Sequence, residues 1–213
     1  MEVGKFYEIY ALKDDDGNIH ENDMEAVEQM SFLNIGDKKC KYNNMNVLQA
    51  GFNTMGLDKF VKIFQENLYT TVIYEQDSPG KNATRSLSQI ISPGTYIDDD
   101  SSCISNVTLC IWIEHTKSRK KMKESITFGV SSLDIFTGMT TLFETTIDHN
   151  HSPNSYDQLE QLVSIYNPKE TILISNLDIN KINDIKIYIG LEDHKCYIVE
   201  HTKEEFLLSK YVV

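Results

Sequence analysis

The sequence has no basic excess, no paired cysteines, almost no arginine and no long apolar run, and each absence closes off a class of function. Its 213 residues carry 20 lysines and arginines against 32 aspartates and glutamates, a formal net charge of −12. Avid, non-specific grip on phosphate backbones draws on basic charge, so that mode of binding is disfavoured. Arginine stands only at Arg85 and Arg119. The four cysteines, Cys40, Cys103, Cys110 and Cys196, form no Cys-x-x-Cys pair. Neither a metal knuckle nor a disulfide framework is expected, and the thiols are read as reduced ones in an intracellular protein. Apolar runs such as 70–74 and 171–174 fall far short of the ~20 residues that a membrane helix needs, and no basic, apolar leader follows Met1. A nucleotide-hydrolysing loop is missing too. Pro79-Gly80-Lys81 has no glycine five positions before Gly80, and asparagine follows the lysine.

What is present is an ordinary globular composition, 40% hydrophobic and 24% charged, with isoleucine and asparagine abundant and alanine scarce. The segment 91–100 (ISPGTYIDDD) joins a Pro-Gly turn to an acidic stretch and marks the expected boundary between domains 1–97 and 98–213. The first has nine basic and fourteen acidic residues, the second eleven and eighteen. In the first domain, 3–12 reads as one strand, 24–33 as a helix capped by Asn22 or Asp23, and 47–52 as a short strand. Leu57, Phe60, Val61, Phe64 and Leu68 recur at helical spacing, and two strands follow over 70–76 and 86–92. In the second domain, three strands (107–114, 125–133, 139–147) precede a helix (156–166), a strand (170–175), a helical piece and a last strand (196–200). A basic hairpin tip, 117–123, joins the first two. The class is α/β throughout, and the second domain has the element order of a ribonuclease-H-like fold.

Few residues invite chemistry. Asp134 ends a strand, as the first metal-binding aspartate of a ribonuclease-H-like nuclease would, with Glu144 and Asp148 as imaginable partners. Asp followed by Thr-Gly is also what a hairpin turn demands, and the turn is the expected role. His149 and His151 share the loop HNHSP, but no third ligand has recognisable spacing, so no metal site and no catalytic residue are expected. Near the start, Phe6 and Glu8 share one face of a strand, roughly 6.5–7 Å apart. A core position for Phe6 and a sheet margin for Glu8 is one reading. An exposed aromatic ring beside a carboxylate is the other.

GKFYEIY (4–10) resembles the Gly-x-Phe-Tyr-Glu-Leu-Phe segment of the mismatch-recognition domain of MutS-type DNA repair proteins. The resemblance continues in order. QAGFNTMGLDKFVKIFQENLYTTVIYEQ (49–76) is similar to that domain's glycine-containing strand, amphipathic helix and strand ending in Cys-Glu-Gln. SLSQIISPGTYID (86–98) is similar to the segment that closes it. ITFGVSSLDIFTGMTTLFE (126–144) and YNPKETILIS (166–175) resemble the family's connector domain.

The resemblance implies a small mixed α/β mismatch-recognition domain over 1–97, followed by a ribonuclease-H-like α/β connector over 98–213. It implies that Phe6 enters the minor groove as a wedge and stacks on a mispaired or unpaired base, and that Glu8 hydrogen-bonds that base. Wedges kink a duplex, and a poorly stacked mismatch yields more cheaply than paired DNA. Lys5 stands where the family has aspartate. Lys38, Lys39 and Lys41 correspond to its Thr-Lys-Arg segment and are implied phosphate contacts. An acidic insertion, 12–23, follows the wedge strand, and 52–55 departs from the family's Ile-Pro-Tyr-His. Implied partners are mismatched double-stranded DNA, a MutS-type dimer partner and other repair factors bound through the connector. ATP and magnesium belong to an ATPase region, which, with the lever and clamp, is not represented in these residues, so no enzyme activity or cofactor is expected of this chain. The composition leans towards a divergent branch like those of large DNA viruses. The rival readings are a metal-dependent nuclease using Asp134 and a MutS-derived interaction module that ignores mismatches.

Overall fold

The computed structural model describes residues 1–78, 80, 83–97, 105–117 and 124–200. Pro79 and Lys81, the stretch 98–104 at the expected domain boundary, and positions 118–123 of the basic hairpin tip lie outside the described residues. The chain divides into two compact units between Tyr96 and Ile97.

In the first unit, β1 (Glu2–Val3), β2 (Phe6–Lys13), β5 (Met45–Asn53) and β4 (Gly36–Tyr42) form an antiparallel sheet in that spatial order, and β3 (Ile19–His20) pairs with the far end of β2. Alternation sets the faces: Tyr7, Ile9 and Ala11 of β2 and Leu48, Ala50 and Phe52 of β5 turn inward. The small Ala11 and Ala50 leave room for Met24 of α1 (Met24–Ser31), which is fully buried. α2 (Leu57–Glu66) presents Leu57, Phe60, Val61 and Phe64 to the same side, where Phe60 stacks on Phe52 at 4.2 Å and Phe52 on Tyr7 at 5.9 Å. A separate antiparallel ribbon, β6 (Thr71–Gln76) and β7 (Arg85–Ile91), adds Ile73 and Ile91 to this core.

Three departures from the sequence reading have local causes. The single strand expected over 3–12 is broken by a two-residue hairpin at Gly4-Lys5. Gly4 takes φ +65° in the first turn position, and Val3 pairs with Phe6. The stretch carrying Lys38, Lys39 and Lys41, to which the sequence reading assigned no element, is an edge strand closed by Asn43-Asn44, whose φ values of 48° and 64° suit a type I′ turn. Helix α1 stops at Ser31 because Phe32 adopts φ 57°, with its N–H bonded to the Glu28 carbonyl. Its N-cap is Asp23, which accepts from the Ala26 N–H at 3.0 Å.

The second unit is one five-stranded sheet with helices. Its strands are β8 (Val107–Lys117), β9 (Glu124–Asp134), β10 (Thr140–Asp148), β11 (Glu170–Ser175) and β12 (Lys195–Glu200), in the order β10-β9-β8-β11-β12. The first three are antiparallel, and β11 runs parallel to both β8 and β12. The apolar core is built from fully buried Leu109, Ile111 and Ile113 of β8, Ile126 and Phe128 of β9, and Leu173 of β11. It is covered by Leu159 of α3 (Asp157–Tyr166) and Ile182 of α4 (Ile179–Tyr188). α3 ends on Asn167 at φ 42° before Pro168, and Asp178 caps α4 by accepting from the Lys181 N–H.

Candidate nucleic-acid interface

The outer face of the first sheet carries the residues singled out in the sequence. Directly paired positions share a face, so Phe6, Glu8 and Tyr10 of β2 lie beside Asn53, Gly51 and Gln49 of β5, and Gly36 of β4 pairs with Gln49. Phe6 is 51% exposed, whereas its neighbour Tyr7 is 7% exposed and fixed in the core behind it. The Tyr7 hydroxyl also reaches Glu75 at 3.4 Å. Gly51 keeps the ground beside Glu8 low: a Cβ there would stand 3.1 Å from the Tyr7 carbonyl oxygen and 3.4 Å from the Glu8 Cγ. Phe6, Glu8, Asn34, Ile35, Gly36 and Gln49 border a shallow depression of about 380 Å³ on this face.

The hairpin that precedes Phe6 is pinned from the β6–β7 ribbon. Gln76 accepts from the Gly4 N–H at 3.0 Å, Arg85 donates to the Glu2 carbonyl at 2.8 Å, and the Arg85 guanidinium also reaches Gln76 at 3.2 Å. The Glu75-Gln76 pair therefore braces β2, Glu75 behind it and Gln76 at its turn. Sequence reasoning found both segments but not their contact, since the two lie some seventy positions apart.

Glu8 does not stand alone. The Lys38 ammonium donates to its Oε2 at 2.9 Å, the Tyr10 hydroxyl donates to the same oxygen, and Lys38 also donates to the Tyr10 oxygen while lying 4.1 Å from that ring's centre. Burial works against ionising Glu8, but the bonds from Tyr10 and Lys38 outweigh it and hold the carboxyl below its usual range. Burial likewise lowers Lys38, and its bonds to Tyr10 and Glu8 more than restore it. Burial and the bond to Glu8 push the Tyr10 phenol up. At neutral pH the trio is carboxylate, ammonium and neutral phenol.

Phe6, Glu8 and Lys38 are thus brought together. Lys5 sits exposed on the adjoining turn, while Lys39 and Lys41 are exposed on β4, with Lys39 at φ 56° beside a bulge between Asp37 and Lys41. Lys38 is set apart from the other lysines because its charge is matched by Glu8.

In the second unit, Asp134 is a turn residue. Its Oδ1 accepts from the Asn106 and Phe136 N–H groups, its Oδ2 from the Thr137 hydroxyl, and its carbonyl from Gly138. Burial resists, yet these bonds hold its carboxyl below the usual range. Glu144 pairs with Gly129 and Asp148 with Ser125, which at ~3.4 Å per residue puts them about 17 and 30 Å along β9 from Asp134. They cannot share a metal ion with it. The loop holding His149 and His151, expected as an isolated pair, has a neighbour the sequence did not suggest: Glu124, across the β9–β10 end, completes a group whose ligand atoms lie within 4.8 Å of one another.

Comparison with known proteins bears on this arrangement directly. The family model of MutS domain I matches residues 1–100, the unit that carries Phe6 and Glu8. A DNA mismatch repair mutS homolog of Acanthamoeba polyphaga mimivirus is 26% identical over 216 aligned positions, covering 98% of this chain and 19% of the relative. Residues 1–100 thus match a MutS domain, and the chain as a whole is similar to a viral MutS homolog. It spans about a fifth of the length of that MutS homolog, and the mimivirus relative agrees with a branch like those of large DNA viruses. Among solved structures, the fowlpox virus Holliday junction resolvase is similar at a TM-score of 0.29 and 11% identity, over 47% of this chain and 69% of that one. A likeness of that size carries no argument about fold or activity.

Proposed function

We propose that this chain recognises mismatched or unpaired bases in duplex DNA during mismatch repair, with Phe6 as the wedge and Glu8 as the base contact. The observation that carries this reading is the pairing of a half-exposed Phe6 with a buried Tyr7 on one strand. An aromatic ring pushed against stacked bases must not retreat, and Tyr7, locked between Phe52 and Glu75, holds the strand against the load. The turn before Phe6 is braced by Gln76 and Arg85 for the same purpose.

Glu8 is ionised and therefore only accepts, so it selects a base edge that offers an N–H. Its charge repels the phosphates of a duplex that has not opened, while Lys38 and Tyr10 keep it ionised and aimed. Lys5, Lys39 and Lys41 serve as backbone contacts. Insertion of the ring unstacks a step at a cost of a few kcal/mol, smaller at a mismatch, and this difference is the discrimination.

The second unit is read as the ribonuclease-H-like connector. Its strand order, three antiparallel strands followed by two parallel ones, supports that reading, and the engagement of Asp134 in its own turn argues against a nuclease centre there. A MutS-type dimer partner and repair factors docking on the connector are part of the same proposal. ATP hydrolysis is assigned to the family's ATPase region rather than to these residues.

The test is paired titration of matched, mismatched and single-bulge duplexes. Wild-type protein is expected to prefer the defective duplexes. Phe6→Ala is expected to lose ~1–3 kcal/mol of that preference, the scale of one base–aromatic stack. Equal affinity of the wild type for all three duplexes would show that this surface does not read mismatches, and would favour the interaction-module reading.

A further inference from the structure

We propose that Glu124, His149 and His151 bind a divalent transition-metal ion of the zinc class, with an open coordination position facing a cavity in the second unit. The three residues come from the two ends of the β9–β10 hairpin. The His149 N–H donates to the Glu124 carbonyl at 2.9 Å, which ties the two segments together at the site. His151 takes φ 53°, and this left-handed turn brings its ring back to 4.6 Å from the His149 ring. Its Nε2 stands 3.9 Å from the Glu124 Oε2, and all three ligand atoms fall within 4.8 Å of one another.

Two imidazoles and one carboxylate form a borderline donor set, suited to zinc and its neighbours rather than to magnesium or calcium, which take oxygen ligands. Tetrahedral coordination at ~2.0–2.1 Å per bond sets donor atoms about 3.3 Å apart. The present spacing closes to that value by side-chain movements of up to about 1.5 Å. His151 is 72% exposed at its side chain and Glu124 is 26%, so both have room to turn. A simple ion pair between a protonated His151 and Glu124 accounts for only two members of the group.

The surroundings favour a site with a free position rather than a closed structural one. A cavity of about 680 Å³ opens beside the three ligands, walled among others by His115, Tyr156, Lys181, Asp184 and Tyr188. The His115 ring lies 4.8 Å from the His149 ring, and its Nε2 is 2.8 Å from the Tyr156 hydroxyl. Burial pushes that phenol up to about 12, so it is a neutral hydroxyl in the cavity wall. Three protein ligands with solvent in the fourth position is the arrangement in which zinc acts as a Lewis acid.

The experiment uses the whole 213-residue chain, stripped with EDTA and titrated calorimetrically with zinc chloride, with Co2+ as a spectroscopic substitute. One equivalent is expected to bind, and Co2+ is expected to give the visible bands of a low-coordinate nitrogen and oxygen site. His151→Ala, His149→Ala and Glu124→Gln are each expected to weaken binding at least tenfold, while His20→Ala leaves it unchanged. His151 is the most exposed of the three, so His151→Ala keeps the test open should His149→Ala fail to fold, as far-UV circular dichroism will report. The proposal is overturned by the absence of saturable binding, by binding that survives the His149→Ala/His151→Ala pair, or by a thiolate charge-transfer band that moves the metal to a cysteine.

Discussion

Phe6 and Tyr7 are adjacent aromatic residues facing opposite sides of β2, and their substitutions should separate cleanly. Tyr7→Ala removes a ring packed on Phe52 and should cost ~3–5 kcal/mol of folding stability. Phe6→Ala removes a half-exposed ring and should change stability by less than about 1 kcal/mol while cutting mismatch preference by the ~1–3 kcal/mol of one base–aromatic stack. Thermal melts set beside duplex titrations check both, and a large stability loss for Phe6→Ala would return that residue to the core. The Glu8–Lys38–Tyr10 trio adds a pH signature. The folded carboxyl lies below its ordinary value of 4.5, so its contribution is complete above that value and disappears as pH falls through the folded one. Lys38→Met should therefore cost about 1 kcal/mol at pH 7, the scale of a partly buried charge-assisted bond, and progressively less as pH falls below the carboxyl's ordinary value. Denaturant melts across a descending pH series measure the difference.

Elements with strong periodicity were legible, and those without it were not. The apolar spacing of Leu57, Phe60, Val61 and Phe64 identifies α2, and the three long strands of the second unit appear within a few residues of their observed ends. β4 is nearly all polar and exposed along its length, as an edge strand can be, so no alternation betrays it, although Asn43-Asn44 is a readable turn signal. The Gly4-Lys5 hairpin escaped because β1 is only two residues long. The Glu124 partner of the histidines was invisible for a different reason: it lies twenty-five positions from His149 and meets it only when the hairpin closes. Asp134 shows turn chemistry being read correctly. Asp134→Ala should lower Tm by a few degrees through loss of its bonds to Asn106, Phe136 and Thr137. The wild type should show no magnesium-dependent DNA cleavage for that substitution to abolish, and a nuclease assay on both proteins decides it.

The whole chain carries −12, and neither domain read from the sequence is basic, so the proposed hold on DNA would rest on a few placed cations rather than on a general field. Among the described residues, three lysines are candidates for that hold: Lys5 beside Phe6, and Lys39 and Lys41 on β4. Lys38, also implied as a phosphate contact, is expected to add little while Glu8 matches its charge. Release of counterions by three contacts gives a slope of log affinity against log salt of about −3, shallow for a DNA-binding protein. Lys39→Gln with Lys41→Gln should bring the slope to about −1 and weaken matched and mismatched duplexes alike, because phosphate contacts carry no information about the base. Glu8→Gln should act differently. It removes a negative charge from the groove and releases the Lys38 ammonium, so affinity for matched duplex should rise and the slope should steepen by about one contact. Salt-dependent titrations of the two variants on both duplexes separate these outcomes. A loss confined to mismatched DNA in the lysine pair would place Lys39 and Lys41 at the base rather than at the backbone. An unchanged slope in Glu8→Gln would show that Lys38 does not reach a phosphate once it is released.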